Sequence, residues 1–140
     1  MFDPSLQLRK WYYEQLSGMI FLSSVAVPVY DNVPMNTDFP FIVLSDNRCV
    51  NYGNKDGDMT LNAFQVDVYT GSQKNAGGKK ESDEIGEQVL EIIIGTQDTT
   101  ANFKILTSTF ESANYMDLMT ESHKVVRKIL IINHLIQKTS

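Results

Sequence analysis

Cysteine is almost absent. Cys49 stands alone in 140 residues, which excludes an intramolecular disulfide framework and any cysteine-rich zinc module. Histidine is nearly as scarce, and His123 and His134, eleven positions apart, have no zinc-ligand spacing. Basic charge is in deficit: 12 Lys and Arg against 17 Asp and Glu leave a net charge of −5. General nucleic-acid binding needs the opposite sign, to displace counterions from phosphates. Nor is there a long hydrophobic run. The most apolar stretch, Leu16 to Val29, is interrupted by Ser17, Gly18, Ser23, Ser24 and Pro28, and a membrane span takes about 20 apolar residues. Arg9 and Lys10 precede this stretch as they would in a secretory leader with cleavage near Ala26. Glu14 at its start and the polar residues inside it favour a helix end followed by a first strand.

What is present is ordinary globular material, 42% hydrophobic and 21% charged, too balanced for disorder or a coiled coil. A chain of this length can bury roughly 70% of its unfolded surface, enough for one domain with a proper core. Asp3-Pro4-Ser5 is a helix start, with Asp to hold free amides and Pro tolerated in the first turn. Leu8, Tyr12, Leu16 and Met19 then recur at helical spacing with Trp11 beside them, and Gly18 is the stop. Val25 to Tyr30 reads as a short strand, confined to a sheet edge by Pro28. A loop through Pro34 leads to a buried strand from Phe41 to about Val50, and Asn51 to Asp58 is dense in turn formers.

Leu61 to Thr70 alternates, with Phe64, Val66 and Val68 on one face and Gln65, Asp67 and Tyr69 on the other. Gly71 to Gly78 reads as a loop. Ile85, Val89, Ile92 and Ile93 mark an amphipathic helix from Lys79 to about Ile94. Phe103 to Tyr115 and Val125 to Ile136 complete the strands, the middle of the last one, Ile129 to Ile132, apolar on both faces. The pattern predicts a single α+β domain: a mixed or antiparallel sheet of about four to five strands with two α-helices packed on one face.

Three motifs resemble chemistry and fail on inspection. Gly71 to Lys80 sits where a phosphate loop would, but Lys80 takes the place of the magnesium-holding hydroxyl and Gln73 that of the first glycine. Asn54-Lys55-Asp56-Gly57-Asp58 resembles a calcium loop, yet with Gly57 sixth the anchoring positions fall on Tyr52 and Ala63. His134 shares a strand face with Lys128 and is expected at a surface or interface; His123 is expected in a turn. Arg48 beside Cys49 could lower the thiol's pKa, though a lone strand cysteine is ordinarily inert filling. No catalytic residue, cofactor or metal ligand is assigned.

Charge is the stronger signal. Glu81 to Asp98 holds six acids, among them Glu84, Glu87 and Glu91, whereas Lys124 to Ser140 carries Lys124, Arg127, Lys128 and Lys138 and no acid. Either patch can be plain solvated surface; together they could dock copies side by side. The polar tip, with Asn54, Lys55, Asp56 and Asp58, is expected to reach a partner.

Taken together, these segments resemble a known family. Phe39-Pro40-Phe41-Ile42-Val43-Leu44, then Phe64-Gln65-Val66-Asp67-Val68-Tyr69-Thr70, then the helix around Glu84-Ile85-Gly86-Glu87-Gln88-Val89 and the closing strand from Lys124 to Ile136 are similar to small phage tail-completion or tail-terminator proteins. The resemblance covers most of the chain. It departs in the long polar stretch from Asp46 to Thr60 and in the acidity of the helix. It implies a structural virion protein, neither enzyme nor cofactor carrier, made in the host cytoplasm and built into the neck or tail. It further implies a homo-oligomeric ring of six or twelve copies at the head–tail junction, against a portal adaptor or tail tube. DNA would pass through the lumen without specific binding, and no membrane would be involved. The alternatives are a soluble adaptor or regulatory module without catalysis and a small enzyme or nucleotide-binding domain.

Overall fold

A computed structural model describes residues 3–53, 58–73, 78–96, 103–119 and 123–139. The first helix, α1 (Ser5–Leu16), begins where the Asp3 carboxylate accepts the Ser5 N–H at 3.0 Å. It buries Leu8, Trp11, Tyr12 and Leu16, whereas Met19 lies beyond its end and is exposed. Gly18 adopts a φ of +74°, the left-handed conformation that glycine takes without steric cost after a helix end.

The segment expected as one strand from Val25 to Tyr30 is two. β1 (Phe21–Leu22) and β2 (Val25–Ala26) form a small antiparallel hairpin. Its turn residues Ser23 and Ser24 have φ of 50° and 67°, the positive values that tight two-residue hairpins require. β3 (Val29–Tyr30) instead pairs in parallel with β4 (Phe41–Asn51). Pro28, lacking an N–H, separates them and leaves β3 at the sheet edge as predicted.

β4 runs antiparallel to β5 (Met59–Gln73), which continues through the expected loop start at Gly71. The second helix, α2 (Lys79–Gly95), follows. β6 (Phe103–Met119) and β7 (His123–Lys138) are both longer than predicted, and His123 opens β7 rather than lying in a turn. The five-stranded sheet has the order β3-β4-β5-β7-β6.

Alternation decides the layers. Phe64, Val66 and Val68 of β5 and Val126, Leu130, Ile132 and Ile136 of β7 are buried. All but Val126 share one core with Ile85, Val89 and Ile93 of α2 and the buried face of α1. Both helices therefore cover the same sheet face, the predicted two-layer α+β arrangement. On the other face Val43, Leu61, Ile129, Ile131 and Leu135 are half-buried, and no described element covers them.

Candidate interaction surfaces

The acidic helix face is real. Ile85, Val89 and Ile93 point into the core, so Glu84, Glu87 and Glu91 project into solvent. Asp83 behaves differently. Its carboxylate meets Lys128 Nζ at 2.7 Å and accepts the Tyr115 hydroxyl. The hydrogen bond from Lys128, then that from Tyr115, holds its carboxyl below the usual range. Lys128 lies across the helix at Gly86, where a Cβ would stand 3.3 Å from Lys128 Cε and oblige the lysine to shift slightly. Lys79 and Lys128 approach the Tyr115 ring at 5.3 and 5.2 Å, and Lys79 also reaches Asp117 at 3.8 Å.

The basic strand divides between the two faces. Arg127 lies on the helix-free side, where its Nε and Nη2 reach Asp67 Oδ2 at 3.1 and 2.7 Å, with Asp67 only 2% exposed. The Arg127 guanidinium also stands over the Tyr69 ring. Lys124 is half-buried on the same side of β7 as Lys128. Two of the three cations expected to meet a neighbour's acids are thus paired within the chain, and the structure does not gather Lys124, Arg127 and Lys128 into one patch. Asn54, Lys55 and Asp56 lie outside the described residues. Asp58 is exposed, and its carbonyl accepts the Lys138 N–H at 2.8 Å.

His134 is the clear correction. It is fully buried, not superficial. It does share a side of β7 with Lys128, but that is the side facing the core. Tyr12 Oη meets Nε2, and Ser108 Oγ lies 2.8 Å from Nδ1, so a neutral imidazole donates through one nitrogen and accepts through the other. Trp11 and Tyr12 stand edge-on to it at 6.0 and 5.5 Å. Burial lowers its pKa from 6.5 to about 4. This network ties α1 to β6 and β7 and leaves the imidazole no open side for catalysis. The Cys49 thiol is pushed up, chiefly by burial, so Arg48 does not activate it. Among the described residues no three His, Cys, Asp or Glu side chains are grouped to hold a metal ion, and no helix is long and apolar enough to cross a membrane.

The family model for tail completion protein gp17 matches residues 15–126, from the end of α1 into β7. The chain belongs to the tail completion protein family. It is a structural protein of the phage virion, found in its neck or tail. Among solved structures, a chain from the virion of a native gene transfer agent particle superposes with a TM-score of 0.68 at 15% identity, covering 95% of each chain; at that identity the likeness is one of fold. No curated protein matches.

Two further features of this tail completion protein escaped sequence reasoning. Arg9 donates from Nη1 to the Leu44 carbonyl and from Nη2 to that of Ser45, at 2.6 and 2.5 Å, while also pairing with Asp31 at 2.8 Å. It thereby occupies two backbone acceptors at the β4 edge. The second feature is the exposure of Phe110, Tyr115, Met116 and Leu118 on β6. His134 was findable: it has the parity of Val126, Leu130, Ile132 and Ile136. Arg9 carries no such signal.

Proposed function

We propose that this tail completion protein forms a homo-oligomeric ring at the head–tail junction, ending or connecting the tail tube. The observation that carries this reading is the family match over residues 15–126. A ring needs heterologous contacts that close after a fixed rotation, so one surface must complement a different one. The chain offers unlike surfaces: an acidic α2 face with Glu84, Glu87 and Glu91, and a sheet whose far edge, β6, carries exposed apolar side chains. Neighbouring portal-adaptor or tube proteins are its partners, and it has no catalytic role. If α2 faces the lumen, its carboxylates repel the DNA backbone and let it slide.

The test is native mass by light scattering across concentration and salt. A mass of six or twelve chains supports the ring. A lasting dimer refutes it and favours an adaptor. The lumen assignment has its own check: Glu84, Glu87 and Glu91 changed together to Gln should slow DNA ejection, and unchanged ejection removes it.

A further inference from the structure

Edge strands expose unpaired backbone groups, and proteins blunt them with short strands, Pro, Lys or a covering element. This sheet leaves two edges open among the described residues. On β6 the register breaks between Ile105 and Thr107 and again between Phe110 and Ser112, after which Ser112 to Met119 pairs regularly with β7. No described strand lies beyond it, and Ala113 to Leu118 are all exposed. This segment contains neither Pro nor Lys. At the opposite end, β3 shields only the start of β4, at Ile42 and Val43, and Arg9 occupies the carbonyls of Leu44 and Ser45. Asp46 to Asn51 is therefore a second open edge.

The two edges are unlike, face opposite ways and belong to one sheet. The side chains beside them also match. Met116 and Leu118 pair across from Arg127 and Val125 on the helix-free face. Val50 lies on that same face, lining one surface recess with Leu61 and Ala63. Ser112–Met119 lies level with Gln65–Ser72 of β5 and Asn47–Asn51 with Thr60–Phe64, so two copies placed edge to edge would continue that half-apolar face with one copy stepped along the strand direction. Asp46 and Arg48 offset each other on one edge, and Asp117 is the only charge on the other, so no like-charge conflict opposes the pairing.

We propose that Ser112–Met119 of one copy pairs as a β-strand with Asp46–Asn51 of a second copy, so that the sheet runs from subunit to subunit. The occupant of each open edge is thus another copy of this chain. This rests on the ring reading and deepens it: the repeating contact is backbone pairing at the sheet edges rather than the acidic helix against the basic strand.

Amide exchange of the wild type, compared between monomer and assembled protein, tests it without any substitution. Both segments should slow at least tenfold on assembly. In parallel, Met116→Lys with Leu118→Lys should lower the assembled fraction at least tenfold, while Met35→Lys, at an exposed site on neither edge, should not. A wild type that assembles while either segment keeps its monomer exchange rate overturns the pairing and leaves the ring standing, as does a double variant that assembles normally. A dimer protected only at Ser112–Met119 means that β6 pairs with itself, and overturns both the pairing and the closed ring. A wild type that stays monomeric at every concentration and in the assembled particle overturns both as well.

Discussion

Acidification should destabilise this protein through His134 before its carboxylates matter. The imidazole is buried against Trp11, Tyr12 and Ser108, and its folded pKa is about 4 against 6.5 when free. In the unfolded chain it binds a proton below about 6.5, while the folded form resists until about 4. The unfolded state therefore carries more protons throughout that window, and stability falls as pH falls through it. The contribution is fully present above pH 6.5. At 1.36 kcal/mol per tenfold change in proton affinity, the loss by pH 4 is about 3 kcal/mol, a large share of a domain's ordinary 5–15 kcal/mol. Asp3 and Asp83, whose carboxyls are held low by hydrogen bonds from Ser5 and from Lys128 respectively, contribute in the same direction but only below the ordinary carboxylate range near 3.8. Urea unfolding of dilute protein at pH 7, 6, 5 and 4.5 measures the slope. His134→Gln should be less stable at neutral pH, having lost its fit with Tyr12 and Ser108, but its stability should change much less with pH above 4.5. An equal slope in wild type and variant, or an imidazole signal assigned to His134 that titrates near 6.5, would refute the reasoning.

Arg127→Met leaves the Asp67 carboxylate buried without its partner and should cost about 3 kcal/mol in urea unfolding; adding Asp67→Asn should recover part of it, and independent additive losses would contradict the coupling. Gly71→Ala would place a Cβ 2.5 Å from the Phe39 ring, so Phe39 must leave its stack on Phe41. The expected cost is about 1–3 kcal/mol, with altered aromatic shifts for Phe39 and Phe41. Asp83→Asn removes an exposed pairing with Lys128 and should change stability by under about 1 kcal/mol, read from the urea midpoint.

The fold was legible where burial imposes a simple period. The spacing of Ile85, Val89 and Ile93 predicts α2 because one stripe of that helix meets the sheet. The alternation from Phe64 to Val68 predicts β5 because one face is covered and the other is not. The distal part of β6 was not legible because two register breaks shift its parity and because Ala113 to Leu118 are exposed on both sides; without burial nothing selects a pattern. The β1–β2 turn was missed because Ser23-Ser24 lacks the Asn-Gly or Asp-Gly signal usual for such hairpins. The charge patches were legible as composition but not as surfaces. Parity sends Arg127 to one face and Lys128 to the other, and each is met by an acid from a distant part of the chain. His134 shows that the parity of neighbouring residues can outrank a residue's own polarity.

The place of β7 in the sheet also bears on how the protein is made. β7 follows β6 in the chain yet lies between β5 and β6, which never touch as a pair. While the polypeptide is being synthesised, β5 and β6 each lack a neighbour, and α1 lacks the His134 anchor that Tyr12 holds. The last strand to be made thus fills an interior place in the sheet. A nascent chain stalled before His123 can pair β3, β4 and β5 but leaves β6 with no strand to pair and β5 with one open edge, both open to pairing with other chains. That exposure lasts until β7 has cleared the ribosome.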